Sequence, residues 1–342
     1  MESIYLHAIA GQSFWRLLLA GAFLLFILVT GAGLMVQAAV GISRRWGLPR
    51  VVIGATVVGL GAAFPECAVA VAAAVQGAPD LALGSVVGAI ICHTGLILGV
   101  GNLMAPLPLD PQVVGRRGWV QLAAGALLVG ACLPLSTPAA AFHTGGHMTR
   151  LTGLIFLGLL GVYIGSSLPR TAPEPPPRVR GGAWIERGFA LSLGHLAAGA
   201  AMVTAAAVLL PPVVGETARH LSISQGIIGA TLVAFGTSLP KLVAVLAALR
   251  RGFGALAVGY VIGIDILTVL FAAGAAAALS PQGLAVPAYF FRFLFPAMMI
   301  ILLIFRVGVR CSRNHLQRAF GIAVLAAYTA MVVLSYPLAW RP

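Results

Sequence analysis

Residues 226–249 read GIIGATLVAFGTSLPKLVAVLAAL, an apolar run interrupted by one charge, Lys241, which is the only lysine of the chain. Residues 52–75 read VIGATVVGLGAAFPECAVAVAAAV, and the two stretches align without a gap at an offset of 175 residues. Gly54 pairs with Gly229, Thr56 with Thr231, Gly61 with Gly236 and Pro65 with Pro240; further on, Gly84 pairs with Gly259 and Gly88 with Gly263. The chain is an internal duplication. At one equivalent position the halves carry opposite charges, Glu66 in the first and Lys241 in the second.

Composition sets the class. Sixty per cent of the residues are hydrophobic, 8% are charged, and the mean hydropathy is +1.02. Apolar runs of about 20 residues recur along the whole length, as a bilayer core about 30 Å thick requires. The reading is an all-α polytopic membrane protein with ten spans, near 16–40, 50–76, 80–104, 118–135, 150–168, 187–212, 223–249, 254–279, 286–306 and 317–338. The segments between them are short, so no soluble catalytic domain is expected.

The net charge of +13 invites a nucleic-acid reading, but the arginines are distributed by side. With the N-terminus outside, fifteen arginines fall on the inward side and five, Arg16, Arg150, Arg219, Arg292 and Arg341, on the outward side. That asymmetry follows the positive-inside rule and puts both termini outside, in what reads as a bacterial cytoplasmic membrane. The basic charge orients the chain and meets anionic lipid headgroups. No basic n-region precedes the first apolar run, so no cleaved signal is expected. Cys67, Cys92, Cys132 and Cys311 show no CxxC spacing, and no disulfide framework is implied.

Residues 166–187, SSLPRTAPEPPPRVRGGAWIER, form the one conspicuous hydrophilic linker. Its prolines favour an extended spacer, and its four arginines place it on the inward side. The chain divides into a first five-helix repeat (1–168), a linker (169–186) and a second five-helix repeat (187–342). Because five is odd, the second repeat enters the membrane inverted relative to the first. That is the plan of secondary transporters, whose sites form near the midplane where helices are interrupted.

The first repeat carries GAAFPE (61–66) and GSVVGAIICH (84–93); the second carries GTSLPK (236–241) and GYVIGIDILT (259–268). These motifs resemble those of the calcium/cation antiporter superfamily, which includes the sodium/calcium exchangers. Each half of that family carries a motif close to G-T-S-L-P-E in its second span and G-N-x-x-G-S-N-I-F-N or -D in its third. The resemblance implies a carboxylate at positions 66 and 241 and an amide or carboxylate at 93 and 268. It also implies hydroxyls at 62, 63, 89, 237, 238 and 264. This chain keeps Glu66, Thr237 and Ser238, and has Ala62, Ala63, Ala89, Ile264, His93, Thr268 and Lys241 at the others.

The motifs have a physical reading of their own. Gly61 to Pro65 and Gly236 to Pro240 each join a glycine's backbone freedom to a proline's missing N–H, which predicts helix breaks there. Side chains three or four residues apart share a helix face, which groups Ala62, Ala63 and Glu66, and likewise Thr237, Ser238 and Lys241. Ala89 shares a face with His93, and Ile264 with Thr268. Calcium takes about six to eight oxygen ligands, and this set is poor in oxygen. An unpaired ammonium at the midplane costs a few kcal/mol or more, and the symmetry-equivalent Glu66 is its expected partner. His93 and Asp265 are expected in the same polar cluster, Asp265 either as a second partner for Lys241 or as a cap at a helix break. Cys67 and Cys92 adjoin Glu66 and His93, but neighbouring helical residues diverge by about 100°, and no metal site or cofactor is expected.

Three functions remain open at this point. The first is a secondary transporter that couples protons through Glu66, Lys241 and His93 to a small ion or small molecule other than calcium, with Thr237, Ser238, Asp265 and Thr268 lining the site. The second is a non-transporting binding or scaffold protein on an exchanger fold. The third is an intramembrane enzyme with Lys241 as an amine nucleophile; no acid–base set accompanies it, so the chain is not expected to be an enzyme.

Overall fold

The computed structural model describes residues 12–45, 59–109, 114–134, 138–167, 189–312 and 314–339. The interior of a bilayer offers no water to a backbone N–H or C=O, so apolar runs of this length fold as helices that satisfy their own hydrogen bonds. The long helices among the described residues are α1 (Phe14–Arg45), α2 (Gly59–Val75), α3 (Pro79–Met104), α4 (Arg116–Cys132) and α5 (Arg150–Ser167) in the first half. The second half supplies α6 (Phe189–Leu221), α7 (Gln225–Arg250), α8 (Gly254–Leu279), α9 (Phe290–Cys311) and α10 (Arg318–Ala339). Seven of them, α1, α3 and α6 to α10, are long and apolar enough to cross a membrane; α2 and α5 are shorter apolar helices. The linker at 169–186 lies outside the described residues.

Helices from opposite halves pack on one another. α1 lies along α6, its equivalent by the repeat offset, while α2 packs on α8 and α3 on α7. Every residue of α3 from Leu81 to Ile91 is buried, and a helix that is apolar on all sides belongs in the centre of a bundle. The α3–α7 crossing is set by glycines. A Cβ on Gly84 would lie 2.2 Å from the carbonyl oxygen of Gly226, and one on Gly88 would lie 2.3 Å from the Cα of Ala230. The Gly84-x-x-x-Gly88 spacing therefore lets two backbones touch, as small residues do between membrane helices.

The helix breaks differ from the sequence expectation. α2 runs unbroken through Pro65, and the α-helical part of α7, Ala234–Arg250, runs unbroken through Pro240. One missing N–H is tolerated where surrounding helices hold the segment. The irregular turns are π-helical instead: Cys92–Ile97 in α3, Gly229–Val233 in α7, Thr268–Ala273 in α8 and Phe290–Leu294 in α9. Those in α3 and α8 occupy equivalent places in the two halves. A π turn widens the helix by one residue and re-aims side chains, and such turns recur at functional sites. The predicted sixth span, ending at 212, also falls short, because α6 continues through Pro211 and Pro212 to Leu221.

Loops meet at the two ends of the bundle. Strand β1 (Gly146–Met148) pairs antiparallel with β2 (Leu284–Val286), His147 opposite Ala285. The His220 ring lies 3.0 Å from the Gln12 carbonyl oxygen. At the other end the Leu109 N–H donates to the Asn314 carbonyl at 2.8 Å, and the Leu316 N–H donates to the Leu107 carbonyl at 2.9 Å.

Candidate functional site

Glu66 and Lys241, which the repeat offset made equivalent, meet inside the bundle. Both are almost fully buried, and the Lys241 ammonium donates to Glu66 Oε1. Lys241 Nζ also lies 3.4 Å from the Thr237 carbonyl oxygen, one turn earlier on α7. The second Glu66 oxygen, Oε2, is buried without a hydrogen-bond partner, as are Ser238 Oγ and Thr268 Oγ1. The Thr237 hydroxyl is occupied, donating to the Ala234 carbonyl at 3.2 Å. Thr268 opens the π turn of α8.

His93 and Asp265 also meet, but as a pair of their own. His93 Nδ1 lies 2.9 Å from Asp265 Oδ1, with both side chains buried. The other Asp265 oxygen accepts from the Thr94 hydroxyl at 2.7 Å and from Gln121 Nε2 at 2.6 Å, and Gln121 Nε2 lies 3.1 Å from Thr94 Oγ1. Asp265 is thus not a second hydrogen-bond partner of Lys241, one of the two roles expected of it; it bonds His93, Thr94 and Gln121 instead. Lys241 is satisfied on α2 and α7, while Asp265 is drawn to donors on α3 and α4. The two groups abut through Cys92, the residue before His93, which lies beside Ser238 and Lys241. His93 lies within the π turn of α3, Cys92–Ile97, a kind of turn that re-aims side chains.

Gln121 and Thr94 did not emerge from the motifs. The signal for Gln121 was available, since it is a lone amide in the apolar fourth helix, and intramembrane polar residues face the bundle interior by default. Thr94 gave no such signal, because a threonine beside His93 is an ordinary helix residue.

Chemically, each pair joins the two halves, since Glu66 and His93 belong to the first and Lys241 and Asp265 to the second. A hard cation would find few oxygens here. Ala63, Ala89 and Ile264 are buried at positions without a side-chain oxygen, and the Lys241 ammonium already sits on Glu66. A divalent ion would have to displace that ammonium and still assemble six or more oxygens.

Comparison with known proteins places this architecture. The family of the sodium/calcium exchanger protein matches residues 16–168 and 191–336. The sodium/calcium exchanger MaX1 of Methanosarcina acetivorans is 28% identical, the match covering 91% of this chain and 96% of that protein. The inner membrane protein YrbG of Escherichia coli is 30% identical, covering 90% and 94%. A solved structure of the sodium-calcium exchanger NCX_Mj superimposes with a TM-score of 0.60 at 26% identity, covering 94% of this chain and 98% of that one. Two matched segments, a relative of nearly equal length and a common fold agree, and the chain belongs to the sodium/calcium exchanger family of membrane transport proteins.

Proposed function

We propose that this protein is a proton-coupled secondary transporter of a substrate other than calcium, working through the Glu66–Lys241 pair. The chain crosses the membrane ten times, in two inverted sets of five (1–168 and 187–342) joined by an inward linker at 169–186. Both termini lie outside a bacterial cytoplasmic membrane. The loop contacts support that path: 107–109 meets 314–316 at one end, while 146–148 meets 284–286 at the other. The name of the Escherichia coli relative, an inner membrane protein, agrees with the location. The substrate site is lined by Glu66, His93, Thr237, Ser238, Lys241, Asp265 and Thr268.

The observation that carries this reading is the Lys241 ammonium on Glu66. It stands where the exchanger motif has a carboxylate, and it supplies the positive charge that a bound cation would otherwise supply. An ammonium and a carboxylate that neutralise one another inside a bilayer can exchange a proton when one side opens to water, since a buried charge that loses its partner is strongly disfavoured. Purified protein in liposomes with an internal pH-sensitive dye tests it. In the presence of a panel of small ions and solutes, the wild type should collapse an imposed pH gradient faster than empty liposomes, and Lys241→Met and Glu66→Gln should each reduce that rate to background. A wild type indistinguishable from empty liposomes across the panel would remove the coupled-carrier reading and leave the non-transporting binding or scaffold protein in its place.

A further inference from the structure

The buried charges at the centre do not balance. Counted with Glu66 and Asp265 ionised, Lys241 protonated and His93 neutral, the four residues carry one net negative charge. The other strongly buried acid among the described residues, Glu216 on α6, has a partner of its own in Arg219. A single uncompensated charge in the middle of a membrane protein is costly, and one added proton cancels it.

The geometry says where that proton goes. Asp265 is surrounded by donors, with His93 on Oδ1 and both Thr94 and Gln121 on Oδ2. A carboxylate in that setting acts as an acceptor on both oxygens. His93 therefore carries its neutral-state hydrogen on Nδ1, directed at Asp265, which leaves the lone pair on Nε2. His93 Nε2 is buried and has no hydrogen-bond partner. Buried polar atoms without a partner are rare enough to require an explanation, and a base with a free lone pair beside a net negative charge has one.

We propose that His93 Nε2 is a second proton-binding position of this chain, separate from the Glu66–Lys241 pair, with Gln121 and Thr94 as positioning residues that act through Asp265. Binding adds one proton at Nε2 while the Nδ1–H stays on Asp265 Oδ1. The pair passes from imidazole–carboxylate to imidazolium–carboxylate, and the proton leaves from the same atom. The titratable or charged groups brought to this segment are few. Asp265 comes from α8, and Lys241 and its partner Glu66 come from α7 and α2. Tyr328 of α10 lies against Cys92 on the same turn. The buried faces of α9 and of the first part of α3 are apolar apart from Ser85, and the end of α3 adds the amide of Asn102. None of these besides Asp265 is hydrogen-bonded to the ring.

The inference rests on the proton-coupled reading only for what the bound proton drives; the binding itself is measured without transport. Full-length protein with 15N-labelled histidine is placed in lipid nanodiscs, and the His93 ring signals are identified by their loss in His93→Gln. From about pH 9 to about pH 5, a range that brackets an ordinary imidazole, the wild type should begin with Nδ1 protonated and Nε2 bare. It should then gain a proton at Nε2 while Nδ1 stays protonated. Gln121→Met, close in volume, should turn the single tautomer into a mixture, and Asp265→Asn should do so more completely. A His93 ring that carries its hydrogen on Nε2 throughout, or that does not change over this range, overturns the site. Wild-type signals in folded Gln121→Met overturn the positioning role, and if that variant does not fold, Thr94→Val is read in its place. Proton uptake at Nε2 in a protein that moves no protons across liposomes would leave this assignment standing and remove the carrier reading alone.

Discussion

Glu66→Gln should lower the stability of the folded protein by about 3–5 kcal/mol, and adding Lys241→Met to it should restore most of that loss. The single substitution leaves the Lys241 ammonium buried with neutral acceptors alone, the new amide oxygen at position 66 and the Thr237 carbonyl 3.4 Å away, and a buried charge without its counter-charge is among the costliest defects a fold can carry. Replacing both residues removes the charge together with its need. A buried ion pair often contributes little against an apolar pair of similar volume, and the double variant keeps one uncharged amide and no charge, so it should lie closer to the wild type than Glu66→Gln does. Thermal unfolding of the four proteins in one detergent gives the coupling energy. Independent, additive effects would mean that the two side chains do not depend on one another.

Gly88→Val should abolish accumulation of folded protein, an effect above about 5 kcal/mol. The first carbon of any side chain there would lie 2.3 Å from both the Cα and the carbonyl oxygen of Ala230, which is backbone and cannot rotate away. The equivalent residue of the second half behaves differently. A Cβ on Gly263 would meet only the Tyr163 hydroxyl, at 4.0 Å, so Gly263→Ala should stay within about 1 kcal/mol of the wild type. The monodisperse fraction on size-exclusion chromatography of the two variants checks both statements. Equal tolerance at the two glycines would show that the α3–α7 crossing does not depend on contact between backbones.

This contrast shows what a duplicated sequence reveals and what it conceals. The offset of 175 residues places Glu66 opposite Lys241, and the structure joins them, because a charge in an apolar helix has few places to find a partner. The offset also makes Gly88 and Gly263 look alike, yet one lies in a tight crossing and the other does not; surroundings differ even where residues match. The proline motifs suggested breaks, but the helices run straight through Pro65 and Pro240 and the extra winding appears as π turns elsewhere. Local backbone preference names where a helix is weak, whereas packing decides where it yields. The pairing of His93 with Asp265 rather than Asp265 with Lys241 depends on Gln121, which approaches from the fourth helix, and no spacing rule links position 121 to position 265. The strand pair between 146–148 and 284–286 was equally hidden, since three-residue strands are too short to show strand periodicity.

We propose that a lysine has taken the place of the transported cation in this exchanger fold. Sodium-driven calcium uptake by the unmodified protein in liposomes tests it most directly. Vesicles loaded with sodium and diluted into sodium-free buffer containing radiolabelled calcium should take up no more than empty vesicles, because the Lys241 ammonium occupies Glu66 and buried Ala63, Ala89 and Ile264 supply no side-chain oxygen to calcium. Robust sodium-dependent calcium accumulation by the wild type would rule this out, since the lysine would then sit inside a working calcium site.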